Sequence, residues 1–130
     1  MMTVELTMLV FSAGLLLVIL LVQGTFGVLS NGLAAQAGPR DGLPDPSVVH
    51  ARVTRLRANM IENLLLFAPI VLVAHAIGVS NETTILGAQL FFGARLAHAV
   101  IYMAGWPWIR PAAFAVALAG TLMIASQLFG

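Results

Sequence analysis

Between residues 52 and 67 the chain reads RVTRLRANMIENLLLF, so arginines, asparagines and a glutamate run straight into an apolar stretch. Arg55, Asn59 and Glu62 stand at i, i+4 and i+7, the spacing of one helix face. Further on, Arg95, His98 and Tyr102 stand at i, i+3 and i+7 and make a second polar stripe. An arginine fork matches carboxylate and phosphate geometry. A single carboxylate among such cations suits a ligand ammonium. Counting Arg52, Arg55, Arg95 and Arg110 against Glu62 leaves four cations and one anion, a net of about +3 in a low-dielectric setting where uncompensated charge is expensive. A bound anion resolves this excess. A small peptide-like molecule with two carboxylates and one amine fits it.

The elements that must carry these stripes are membrane helices. The chain has 130 residues, 60% hydrophobic and only 8% charged, against roughly 25% charged in a soluble domain. Such a chain cannot cover a water-facing surface. Formal net charge is +1, too small to argue for nucleic acid, and every cation is an arginine. Without cysteine there is no disulfide, thiolate metal site or cysteine nucleophile. The three histidines are far apart in sequence and form no metal site.

A spanning helix needs about 20 mostly apolar residues. Four candidates are predicted, at about 5–29, 59–78, 83–104 and 108–129. Residues 30–52 hold three prolines and three glycines and read as a polar loop. The expected architecture is all-α: one domain, residues 1–130, an integral membrane four-helix bundle. The first span carries Glu5 and no preceding cation, unlike a cleaved signal peptide. Arg40, Arg52, Arg55, Arg57 and Arg110 lie in or beside the first and third connections. The positive-inside bias puts those connections in the cytoplasm and both termini on the other side.

Depth brings the stripes together. Glu62 lies about 10 Å along its helix from Arg55, and Arg95 about 15 Å from the helix end near Gly105, at 1.5 Å per residue. Both stripes then occupy the cytoplasmic half. Arg52 and Arg57 also have a plainer reading, snorkelling to headgroups. Arg95 is too deep for that, and an unpaired charge there costs about 2.5–3.5 kcal/mol or more. Glu62 is the only carboxylate at its depth and is its expected partner. A structural bridge between two helices would account for that pair, though not for Asn59, His98, Tyr102 and Arg55 beside it.

These residues resemble the signature of the MAPEG superfamily, the membrane-associated proteins in eicosanoid and glutathione metabolism. RVTRLRANMIEN at 52–63 is similar to the Arg-x-x-Arg…Asn-x-x-Glu-Asn pattern of its second helix, and ARLAHAVIYMAGWPWIRP at 94–111 to its third helix and following turn. The resemblance implies a homotrimer of four-helix protomers that binds glutathione at the cytoplasmic half of the subunit interface. It implies that Arg55, Asn59 and Glu62 bind the peptide, that His98 and Tyr102 line the same site and that Arg110 stands near the sulfur; the charge count adds Arg52 and Arg95 as ligand-binding candidates. A cation beside a thiol lowers its pKa and raises the thiolate fraction. The thiolate would attack a lipophilic electrophile or hydroperoxide arriving from the bilayer. Glutathione would be a cosubstrate, and the partners would be lipid, a lipophilic substrate and further copies of the chain.

The match has departures. Ala51 replaces the opening glutamate of the signature, and Ala58 stands where some members carry arginine. Pro111 replaces the serine of prostaglandin-synthase-like members, which argues against that activity. No arginine precedes Arg40, and Gln23 is the nearest polar residue in the first span. GPRD at 38–41 is read as a loop-organising turn that could also bring Arg40 to the site. Trp106 and Trp108 read as interfacial anchors, and His75 as an interfacial or packed histidine. Gly24, Gly27, Gly87, Gly93 and Gly120 suit close helix contacts. NET at 81–83 is treated as a chance match to a glycosylation pattern. Two functional classes remain: a glutathione-dependent transferase or peroxidase, and a non-catalytic lipid-binding scaffold of the same superfamily.

Overall fold

The structure, a computed structural model, describes residues 2–39, 42, 47–105 and 109–129, with the side chains of Ile109 and Arg110 outside the described part. The described chain is helical throughout, as α1 (Val4–Asn31), α2 (Leu33–Ala37), α3 (Val48–Ala76), α4 (Glu82–Met103) and α5 (Ile109–Ser126). Arg40, Trp106 and Trp108, singled out above, lie outside the described residues.

Each long helix starts where a side chain can satisfy its orphan amides. Thr3 Oγ1 accepts from the Leu6 amide at 3.2 Å, and Ser47 Oγ from the His50 amide at 3.1 Å. Asn81 and Thr84 form a reciprocal capping box at the start of α4. Gly32, at φ +82°, ends α1 and turns the chain into α2. There the Gln36 amide lies where a Cβ on Gly27 would project, so α2 folds back on the last turns of α1.

The boundaries differ from those expected. Helix α3 starts at Val48, about three turns before the predicted span at 59, so Arg52, Arg55 and Arg57 are helical. Apolarity marks membrane depth, whereas RVTRLRAN is helix-competent without being apolar. The predicted loop also contains α2. By length and composition α1, α3 and α4 can each cross a bilayer, while the apolar stretch Pro111–Ser126 of α5 is shorter.

Two buried clusters hold the helices together. Phe67, Val71 and Ala74 of α3 meet Ala88 and Phe91 of α4 and Ala117 and Ile124 of α5. Within this cluster the Phe67 and Phe91 rings stack at 3.8 Å. Beside it Gly87 and Gly120 bring the α4 and α5 backbones into direct contact. The second cluster, Ile19, Val53, Leu56, Met60 and Ala99, joins α1, α3 and α4 near the other end.

A polar clasp closes the end of the bundle where α1 begins. Glu5, 3% exposed, accepts at Oε2 from the Thr84 hydroxyl at 2.7 Å. Thr84 Oγ1 in turn accepts from the Asn81 amide at 2.8 Å. The sequence places Glu5 only by side of the membrane; the structure makes it a buried tie between α1 and α4.

Candidate functional site

The α3–α4 pair is antiparallel, and its polar contacts step along both helices in register. From the Phe67–Phe91 stack toward the start of α3, the partners move toward the end of α4. Asn59 meets Arg95, Arg55 meets Tyr102, and Arg52 meets Gly105. The two stripes therefore face each other, as their spacing predicts.

Arg95 is 1% exposed and central to this array. Its Nη2 donates to Asn59 Oδ1 at 2.6 Å and lies 3.0 Å from His98 Nδ1. Arginine has no acceptor, so His98 must accept there, which puts the imidazole proton of the neutral ring on Nε2. Asn63 Nδ2 donates to the Asn59 backbone carbonyl at 2.7 Å and lies 3.3 Å from Asn59 Oδ1. With its carbonyl oxygen so occupied, Asn59 keeps its amide NH2 unengaged among the described residues. Asn63 is absent from the sequence candidates. Its spacing of i+4 from Asn59 is the signal that could have found it.

Arg55 is exposed, and its Nε donates to the Tyr102 hydroxyl at 2.8 Å. Tyr102 stacks on His98 with ring centroids 5.1 Å apart. The hydroxyl accepts from Arg55 and keeps its own proton to donate. The remaining guanidinium nitrogens of Arg55 have no protein partner among the described residues. Arg55, Ala58, Asn59, Glu62, His98 and Tyr102 line one cleft of about 120 Å3. Asn59 and Glu62 also line a second cleft of about 440 Å3, together with Pro111 and Phe114 of α5.

The expected Glu62–Arg95 ion pair does not form among the described residues. Arg95 turns to Asn59, the nearer turn of α3, while Glu62 is exposed and aimed into the clefts. Arg95 Nε and Nη1 have no hydrogen-bond partner among the described residues.

Three further residues bear on the site. Arg52 is absent from the cleft lining and packs against Gly105. Gln23 of α1 donates to Thr54 Oγ1 at 3.0 Å and does not reach the cleft, whose described walls come from α3 and α4. Arg110 belongs to the first turn of α5, but its side chain lies outside the described part. Among the described side chains here, the cations Arg55 and Arg95 stand against one carboxylate, Glu62. Among the described residues no group of three or more His, Cys, Asp or Glu is placed to hold a metal ion.

The family model for MAPEG matches residues 6–130, so the chain belongs to the MAPEG family of membrane proteins in eicosanoid and glutathione metabolism. No curated protein and no solved structure matches the chain significantly.

Proposed function

We propose that this protein is a membrane-bound glutathione-dependent transferase or peroxidase. The observation that carries this reading is the convergence of Arg55, Asn59, Glu62, His98 and Tyr102 on one cleft with complementary groups left open. The free guanidinium nitrogens of Arg55 suit a carboxylate, the Asn59 amide and Tyr102 hydroxyl can donate, and exposed Glu62 can accept an ammonium. Glutathione carries two carboxylates, one ammonium and a thiol. Its net charge of about −1 at neutral pH, from the usual ionisation of those groups, suits a site with Arg55 in its wall and Arg95 behind it against a single carboxylate, Glu62.

In this reading α5 is the fourth span, both termini lie on the non-cytoplasmic side, and the protein works as a homotrimer. The oligomer supplies what one protomer leaves open, because Arg55 and Glu62 are exposed at a depth where lipid cannot satisfy them. Arg95 gives the cleft its fixed positive field from behind Asn59. Arg110, at the start of α5, is the catalytic residue: its cation meets the sulfur and stabilises the thiolate over the thiol. The thiolate forms a carbon–sulfur bond to a lipophilic electrophile as the leaving group departs. With a hydroperoxide it attacks the distal oxygen, the O–O bond breaks to give glutathione sulfenic acid and an alkoxide that is protonated to the alcohol, and a second glutathione thiol displaces water from the sulfenic acid to form the disulfide.

The other reading, a lipid-binding scaffold, is favoured only by the wholly apolar groove of about 260 Å3 between α1, α3 and α4. The two separate on one assay. Purified protein with glutathione and a generic aryl halide or lipid hydroperoxide should consume the thiol faster than buffer does. No turnover with either acceptor, together with retained lipid binding, would establish the scaffold.

A further inference from the structure

We propose that Arg52 is a positioning residue: its guanidinium seats the turn at the end of α4 and thereby sets where α5 begins, and it binds no ligand. Arg52 and Arg55 lie three residues apart on α3, and Tyr102 and Gly105 three apart at the end of α4. The two arginines grip the final turn of the antiparallel helix at matched points. Arg55 does so through a directed hydrogen bond to Tyr102. Arg52 does so by lying against Gly105, with Nη2, Cζ and Nη1 at 2.9, 3.1 and 3.1 Å from the point a Cβ would occupy.

Gly105 is constrained by its backbone and has the Arg52 guanidinium against it. Its φ of +82° is the left-handed conformation of a residue just past a helix end, and its amide donates back to the Tyr102 carbonyl at 2.9 Å. A side chain there would be strained by the backbone and would also meet the guanidinium. The last carbonyls of a helix carry partial negative charge, so a cation against this turn is favourable without a directed bond. Arg52 leaves the cleft to Arg55 and acts one turn away.

The turn matters because it leads into α5. That helix begins at Ile109, four residues beyond Gly105, and its Pro111 and Phe114 face Asn59 and Glu62 across the second cleft. Movement of the turn changes the width of that cleft and the placement of the first turn of α5, which carries Arg110. The catalytic part of this inference rests on the proposed glutathione chemistry; the structural part does not.

The test uses the full-length protein in detergent and three variants, Arg52→Gln, Arg52→Lys and Gly105→Ala. Backbone hydrogen exchange over residues 101–111 should quicken about fivefold or more in Arg52→Gln and Gly105→Ala, as expected when a local opening is released. Arg52→Lys, which keeps the charge, should restore at least half of the protection. In conjugation assays Arg52→Gln should lower kcat, normalised to the number of glutathione-binding sites so that unfolded protein is not counted, about tenfold with KM and Kd for glutathione within about threefold. Unchanged exchange in both Arg52→Gln and Gly105→Ala overturns the proposal. So does a glutathione affinity that falls in Arg52→Gln as far as in Arg55→Ala, which would make Arg52 a ligand residue. Wild-type protein that neither binds nor consumes glutathione removes the proposed function, and the exchange measurement still decides the role of Arg52.

Discussion

Arg95 Nη2 donates to Asn59 Oδ1 at 2.6 Å, and this bond to a neutral acceptor, in place of an ion pair, joins α4 to α3 at the depth of the cleft. The buried cation is held by Asn59 and His98, and Glu62 stays outside. Glu62 is thereby left to the ligand, while Asn59 serves both the fold and the cleft.

Coupling should therefore appear between Arg95 and Asn59. Arg95→Met and Asn59→Ala should each destabilise the fold, and the double variant should lose less than the sum by about 0.5–3 kcal/mol. Glu62→Gln, at an exposed position, should cost about 0.5 kcal/mol or less. Thermal unfolding of the single and double variants in one detergent checks both statements. Strong coupling of Glu62 to Arg95 would restore the ion pair.

Tyr102 should act through Arg55. Tyr102→Phe removes the acceptor of the 2.8 Å bond and frees the guanidinium to swing. Loss of one hydrogen bond to a charged group, about 1.5–3 kcal/mol, sets the upper limit on the weakening of glutathione binding. Arg55→Ala should weaken it further, since the cleft's only exposed cation is then lost from the described walls. Titration of both variants with glutathione orders them.

At the opposite end, Thr84→Val deletes the hydroxyl that accepts from the Asn81 amide at the start of α4 and donates to buried Glu5. Stranding a buried acceptor costs about 1–3 kcal/mol. A lower melting temperature with unchanged glutathione affinity is expected, because this clasp lies at the far end of the bundle. Replacing Glu5 with Leu together with Thr84→Val should recover part of the loss.

Arg110→Ala should act on chemistry more than on affinity. Conjugation to an aryl halide should fall at neutral pH and partly recover as pH rises, because the thiolate then forms without help from the cation. Glutathione affinity should change by less than about tenfold, or 1.4 kcal/mol. A variant that conjugates normally at every pH would leave Arg110 as a headgroup anchor.

The facing stripes are legible in the sequence because helix periodicity survives in any solvent: Arg55, Asn59, Glu62, His98 and Tyr102 line one cleft as their spacing predicts. The start of α3 is not legible from apolarity, since the membrane boundary and the helix boundary are different things along RVTRLR. Charge alone assigns Arg95 the wrong partner, Glu62, because sequence spacing cannot tell which turn a long guanidinium will reach. Arg52 resembles a third ligand arginine, yet only the tertiary placement of Gly105 shows what lies against it. Glu5, near a span end, reads as a surface residue until α4 is seen to bury it.

The most direct test of glutathione recognition by this cleft is calorimetric titration of the purified, detergent-solubilised protein with glutathione, with and without Glu62→Gln. The wild-type protein should bind saturably and the variant at least about tenfold more weakly, the loss of one charge-assisted contact to the ligand ammonium. Absence of binding by the wild type, or equal affinity in the two proteins, would contradict the proposed function.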